Sequence, residues 1–282
     1  MPELPEVETI RRRLAPYVVG RRVDTATIRD PRLTRPFDPT VIAAALQGER
    51  IAGLDRRGKY LVVRFESGRV LLIHLRMTGN LRVAETDPML GPHDRAVIRL
   101  DNGSDIVYRD VRRFGTWLLV EPEQLAPYFE ERLGVEPLEG SFRTAALAAR
   151  LAGRRAPVKG ALLDQRTVAG LGNIYADEAL WRARIHPLRP AGKLEPEEVR
   201  ALYRALREAL RRGIARQGAT LRDYATPDGE QGAMQEEFKV YGREGEPCPR
   251  CGTPIEKIRA AGRGTHYCPG CQALPRSAGS EA

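Results

Sequence analysis

At 282 residues, 42% hydrophobic and 29% charged, the chain has room for two domains and the composition of an ordinary folded protein, which excludes disorder as its default state. Forty-six Lys and Arg against 37 Asp and Glu leave a net charge of +9, which raises the prior for a polyanionic partner, although many basic proteins bind none. There is no run of roughly 18 apolar residues and Glu3 follows almost at once, so the sequence predicts neither a membrane span nor a secretory leader, and a cytoplasmic location.

Met1-Pro2-Glu3 opens the chain. Trimming Met1 would leave Pro2 as a free secondary amine, and an α-amino group with a pKa of about 7.7–8.0 is partly unprotonated near neutral pH, unlike lysine. Such an amine attacking a carbonyl-like carbon gives an iminium ion, and Glu3 and Glu6 stand close enough in sequence to move protons. The same residues also make an ordinary helix start, with Pro early and acid in the first turn. Val7, Ile10, Leu14 and Val18 recur at helical steps, which predicts an amphipathic helix over about 5–19.

From about 22 to 120 the pattern turns to short β-rich runs, among them Tyr60–Phe65, Val70–Leu75, Ala96–Leu100, Ile106–Tyr108 and Thr116–Val120. Ser67-Gly68 and Asn102-Gly103 mark turns, and strands this close without helices between them predict an antiparallel sandwich or barrel. From about 142 the signal is helical, over Ala145–Leu151, Val158–Leu163, Asn173–Trp181 and Val199–Ile214. The polar stretch from Gly218 to Gly232 is too long for a simple connector and reads as a mobile functional loop; 275–282 reads as a disordered tail.

Several motifs carry chemistry. Cys248-x-x-Cys251 and Cys268-x-x-Cys271 have the spacing of two zinc knuckles, with a redox dithiol pair as the lesser alternative. Four thiolates leave no open coordination position, so the metal is structural. Between the knuckles a hairpin is expected whose tip carries Arg259 and Arg263, placed for a phosphate or a groove. Gly170-Leu-Gly172-Asn173 could aim backbone N–H groups and an amide at an anion, or simply connect two helices; it lacks the third glycine of a dinucleotide site. Arg56-Arg57-Gly58-Lys59-Tyr60, His74-Leu-Arg76-Met77-Thr-Gly79 and Asp110-Val-Arg112-Arg113-Phe114-Gly115 place cations and apolar side chains at strand ends. Arginines beside an aromatic ring suit insertion into a base stack after a nucleotide is extruded, while solvated charge is the alternative for each motif singly.

Read together, these segments resemble the bacterial formamidopyrimidine-DNA glycosylase family nearly end to end. The likeness rests on Met1–Thr9, Arg57-Gly-Lys59-Tyr60, His74–Gly79, Asp110–Gly115, Leu163–Arg166 with Gly170–Glu178, Asp228-Gly229, Val240–Arg243 and the four cysteines. It implies an α+β fold: an N-terminal antiparallel β-sandwich with flanking helices over 2–135, a helix-two-turn-helix domain with a lesion-recognition loop over 142–232, and a zinc finger over 238–274. DNA would lie in a basic cleft between two domains. The implied activity is excision of oxidised purines from double-stranded DNA and cutting at abasic sites by β,δ-elimination, by a monomer holding one structural Zn2+. The resemblance assigns catalysis to Pro2 and Glu3 with Lys59 and Arg263, and support to Glu6. It assigns DNA contacts to His74, Met77, His93, Arg112, Arg113, Phe114 and Asn173, with Met77, Arg112 and Phe114 filling the gap left by the flipped base. The chain departs from the family pattern at Ala233-Met234, where an aromatic often follows the glycine, and at Arg76 and Val111, where Gly and Pro are common. Two rivals stand beside this reading: an endonuclease VIII-like glycosylase for oxidised pyrimidines, against which Leu4 and Arg112-Arg113-Phe114 weigh, and a non-catalytic zinc-stabilised DNA-binding module.

Overall fold

The computed structural model describes residues 1–85 and 87–274, so the tail expected at 275–282 lies outside the described residues. The chain divides into two compact units, one of Met1–Arg132 with Gly213–Gln235 and one of Leu133–Arg212 with Glu236–Ala282. No described helix is long and apolar enough to cross a membrane.

The first unit begins with α1 (Leu4–Val18), which is followed by β1 (Val23–Ile28), α2 (Pro39–Leu46), β2 (Ile51–Arg57), β3 (Tyr60–Phe65), β4 (Val70–His74), β5 (Gly79–Ala84), β6 (Asp94–Leu100), β7 (Asp105–Asp110), β8 (Thr116–Val120) and α3 (Pro122–Arg132). Two antiparallel sheets form, in the orders β1-β6-β7-β5 and β2-β3-β4-β8. Leu54, Leu61, Leu71 and Ile73 of one sheet and Leu81, Ala96, Leu100 and Ile106 of the other share a single buried cluster, which makes the unit a sandwich. The apolar face of α1, namely Val7, Ile10, Leu14 and Val18, enters the same cluster. Each such buried aliphatic side chain contributes about 1.5–3 kcal/mol, so the core itself fixes the direction of α1 and the place of its first turn. Gly68 and Gly103 adopt φ of 91° and 83° in the turns that the Ser-Gly and Asn-Gly pairs mark.

The segment Gly213–Gln235 belongs to this unit, whereas the sequence groups residues up to 232 with the preceding helices. Its hydrogen bonds explain the difference. The Ala219 N–H donates to Glu6 at 2.9 Å and the Val83 N–H to the Pro227 carbonyl at 2.9 Å, while Arg13 pairs with both Asp228 and Glu230 at 2.7 Å. A bridge between Ala219 and Ala233 closes the loop at its base.

The second unit holds α4 (Thr144–Leu151), α5 (Val158–Leu163), α6 (Asn173–Ala183) and α7 (Pro196–Ala215), then the hairpin β9 (Glu256–Ala260) and β10 (Arg263–Tyr267). α6 is buried along most of its length and carries Glu178 at 0% exposure. One oxygen of Glu178 accepts the backbone N–H groups of Lys239, Val240 and Tyr241 at 2.9–3.1 Å, and the other pairs with Arg182 at 3.0 Å. A buried carboxylate is tolerated because its lone pairs are filled, and those same bonds hold the chain that enters the cysteine region. Glu178→Ala leaves these donors without an acceptor and is expected to lower the unfolding free energy by at least about 3 kcal/mol in a denaturant titration. A loss under about 1 kcal/mol would show that the strand entry is held otherwise.

Candidate active site

Pro2 is buried at the foot of α1, where Glu3 and Glu6 are each 2% exposed. Glu6 turns back on its own helix, with Oε2 accepting the Glu3 N–H at 2.8 Å as in a capping box, while Oε1 takes the Ala219 N–H at 2.9 Å. Gly218, at φ 80°, lies so close to Glu6 that a Cβ there would stand 2.8 Å from its Cγ. Glu6 therefore fixes both the start of the helix and the loop across from it. Glu8 does different work. Burial alone would raise its pKa, but Arg11, Arg12 and Arg56 surround it and hold it down at about 2. Its carboxylate stays ionised and clamps α1 to the end of β2 through Arg56, at 3.3 Å.

Lys59 follows the turn at Gly58 (φ 56°) and is 5% exposed. The strand register sets Tyr60 opposite His74, and their rings meet edge to face at 4.6 Å. The His74 Nδ1 accepts the Arg76 N–H at 3.0 Å, which places the proton of the neutral ring on Nε2, a hydrogen-bond donor. Burial, then the cations of Arg76 and Lys59, push the His74 pKa down to about 3. The ring is thus an uncharged donor in a cationic setting. Arg76 itself has φ 54°, a left-handed conformation in which glycine is unstrained.

Phe114 is 51% exposed, and the Arg112 guanidinium lies 4.8 Å from its ring centre. Arg113 turns elsewhere. Its guanidinium grips Asp30 at 2.5 and 2.8 Å, with its backbone at φ 60°, so the loop presents Arg112 and Phe114 while Arg113 faces the protein. His93 precedes β6, with its Nδ1 3.3 Å from Arg95 and its carbonyl accepting the Asp110 N–H at 2.9 Å.

In the second unit all four cysteine sulfurs lie within 4.8 Å of one another, with separations of 3.4–3.9 Å for the pairs 248/271, 251/268 and 251/271. Zn–S bonds near 2.3 Å in a tetrahedron require sulfurs about 3.8 Å apart, so the set fits one zinc ion with no open position. The Trp181 indole donates to the Cys248 sulfur at 3.3 Å and the Cys271 N–H to that of Cys268 at 3.4 Å, dipoles that favour thiolate. Arg263 opens β10 beside the hairpin turn and is exposed. Asn173 heads α6 and gives one of its amide hydrogens to the Gly264 carbonyl at 3.0 Å, next in sequence to Arg263. Sequence reasoning missed what holds them together: the fully buried Lys159–Asp177 pair at 2.5 Å, whose second carboxylate oxygen accepts the His266 N–H at 3.0 Å. The one available signal is a lysine within the otherwise apolar run of α5.

Family models match three stretches: the formamidopyrimidine-DNA glycosylase N-terminal domain over residues 1–117, its H2TH domain over 133–225, and a zinc finger found in FPG and IleRS over 245–274. The formamidopyrimidine-DNA glycosylase of Symbiobacterium thermophilum is 49% identical over 98% of this chain and 90% of its own. The chain belongs to the formamidopyrimidine-DNA glycosylase family. The Geobacillus kaustophilus member is 47% identical over 96% of this chain and 100% of its own. Among solved structures, a Lactococcus lactis member in complex with Fapy-dG-containing DNA has a TM-score of 0.92 at 39% identity, covering 97% of this chain and all of that one. A second Lactococcus lactis structure, with DNA containing an abasic site, has a TM-score of 0.91 at 40% identity and covers 96% of this chain and 100% of its own.

Two of the departures of the chain have a local setting, and nothing in the structure explains Val111. Arg76 accepts the left-handed backbone that glycine would take without strain. Met234 of the Ala233-Met234 pair is fully buried, with its N–H bonded to the Gly218 carbonyl at 3.0 Å.

The depressed His74 pKa makes a signed prediction. Unfolded histidine titrates near 6.5, so the stability His74 contributes is fully present above that pH. It is lost as pH falls from about 6.5 toward 3, where the folded ring finally protonates. NMR should show no titration of the His74 ring between about pH 5 and 8, and His74→Asn should flatten the stability profile below about pH 6.5. A ring midpoint near the unfolded value would contradict this.

Proposed function

We propose that this chain is a base-excision-repair DNA glycosylase and abasic-site lyase that removes oxidised purines such as 8-oxoguanine and formamidopyrimidines from double-stranded DNA. The buried helix start carries this reading, with position 2 flanked by two carboxylates that are themselves held in place. Family membership along nearly the whole chain supports it.

Removal of Met1 frees the Pro2 amine, which attacks C1′ of the damaged nucleotide. The C1′–N bond to the base breaks, and the base leaves with the electron pair and takes up a proton. Glu3 delivers a proton to O4′ as the sugar ring opens, which leaves an iminium ion between Pro2 and C1′. The iminium acidifies the C2′ protons. Loss of one expels the 3′ phosphate by β-elimination, and loss of the C4′ proton, acidified through the conjugated iminium, then expels the 5′ phosphate by δ-elimination. Hydrolysis of the remaining iminium regenerates the Pro2 amine. Glu6 holds the geometry throughout.

Extruding a base costs a few kcal/mol, least for a damaged pair, and the proposed offset comes from two groups of contacts. Lys59, His74, Asn173 and Arg263 grip phosphates, His74 as a neutral donor and the cations through charge. Met77, Arg112 and Phe114 occupy the vacated stack, with Arg112 reading the base opposite. The β-sandwich carries the chemistry, the helix-two-turn-helix region and zinc finger bind DNA, and the protein works as a monomer on chromosomal DNA in the cytoplasm. Zinc supplies folding energy to the finger and takes no part in the reaction.

Single-turnover excision of 8-oxoguanine opposite cytosine and of thymine glycol, measured side by side, tests the reading. Faster release of the purine is expected. Preference for the pyrimidine moves the chain to the endonuclease VIII class, and release of neither leaves a DNA-binding module without catalysis.

A further inference from the structure

The side chains proposed to enter the base stack come from two loops, 75–78 between β4 and β5 and 111–115 between β7 and β8. In the structure both loops close on one carboxylate. Asp110, 1% exposed, accepts the Thr78 hydroxyl on Oδ1 at 2.5 Å and the Gly115 N–H on Oδ2 at 2.8 Å. The Thr78 oxygen in turn accepts the Arg112 N–H at 2.9 Å. The residue after Met77 is thereby bonded to the backbone of Arg112, and the residue after Phe114 to the same acid.

The loops also share a floor. The side chain of Tyr108 is fully buried, and its hydroxyl makes no hydrogen bond among the described residues. Gly79, just after the first loop, and Gly115, the last residue of the second, lie against that oxygen so closely that a Cβ would stand 2.4 Å from it at Gly79 and 1.7 Å at Gly115. Tyr108 imposes glycine at Gly115, and at Gly79 it does so together with the Leu75 carbonyl, which a Cβ would also approach to 2.4 Å. From the side, Arg95 donates to the Asp110 carbonyl at 2.8 Å and approaches Asp30, which holds Arg113. Apart from the Tyr108 hydroxyl, these polar groups satisfy one another, and displacing any of them strands its partners.

We propose that Asp110 is a positioning residue that joins the two loops into one rigid wedge, so that Met77, Arg112 and Phe114 enter the duplex together and Arg112 meets the opposite base in a fixed register. The inference rests on the proposed function. Readout of the opposite base then depends on a residue that touches no DNA, through the backbone position of Arg112 and through Thr78.

Asp110→Asn keeps the shape but replaces one acceptor with a donor facing the Gly115 N–H. Thr78→Val removes the hydroxyl bridge and leaves Asp110 in place. The full-length zinc-loaded chain and both variants would be assayed for single-turnover release of 8-oxoguanine opposite cytosine and opposite adenine. Thermal melts and a fluorescent purine analogue placed opposite the lesion, which reports insertion, accompany the assay. Each variant is expected to lose at least about fivefold of the cytosine-over-adenine preference, the lower end of what one bidentate base contact provides, together with part of the insertion signal. In the Asp110→Asn background, Arg112→Ala should cost no further preference, because the two act on one readout. A lower melting temperature with wild-type preference and insertion would overturn the proposal, as would additive losses with Arg112→Ala. Should Asp110→Asn fail to fold, Thr78→Val decides by the same criteria. A parent chain that excises neither substrate would sink the functional reading and this proposal with it. A parent that excises while the variants keep its preference sinks the proposal alone.

Discussion

The whole proposed mechanism depends on immobilising a chain end, and the Glu6 carboxylate is what does so. Termini fray unless something ties them down, yet an amine nucleophile at position 2 must stay within bonding reach of a sugar carbon. α1 supplies stiffness, and its apolar face sinks into the sandwich core. Glu6 then satisfies the Glu3 N–H and the Ala219 N–H with its two oxygens. A neutral amide could accept only one of them without presenting a donor to the other. The acid therefore sets helix start and loop together, which is why a sandwich core and a segment some two hundred residues later belong to one compact unit.

A second pattern runs through both units: several buried ions are paired, and most of the groups proposed to meet DNA carry their charge near the surface or carry none, the buried Lys59 excepted. Glu8 is spent on three arginines, Asp30 on Arg113, Glu178 on backbone donors and Arg182, and Asp177 on Lys159 and His266. These pairs fix the scaffold, and breaking one strands a buried charge. Arg112, Phe114 and Arg263 remain at the surface, while His74 is kept neutral so that burying it costs no ionic desolvation.

Much of this was legible in the residues. β3 and β8 run over the residues of the predicted β-rich runs, α5 over its predicted helix, and the paired cysteine motifs foretell a sulfur cluster that the fold assembles. β5 is not among the β-rich runs named from the sequence, and its ladder with β7 makes it a strand. α3 carries Pro127 in its middle and buries none of its residues fully, so no apolar stripe announces it. The site shows the same divide. Thr78 and Asp110 sit inside motifs visible in the sequence, but their bond spans 32 residues and exists only once β5 lies beside β7. Arg112 and Arg113 are both assigned to DNA by the resemblance, and only the fold shows that the Arg113 guanidinium is bonded to Asp30. Lys159 signals only a charge within an apolar run, and its partner is not legible because it lies on another helix.

The central claim is that the nitrogen of Pro2 is the nucleophile. Borohydride reduction of the chain on DNA containing 8-oxoguanine, followed by proteolysis and mass measurement of the modified peptide, tests it most directly. The account predicts that the sugar adduct resides on an N-terminal peptide that begins at Pro2 and lacks Met1. An adduct carried by Lys59, or one formed by a chain that retains Met1, would contradict it.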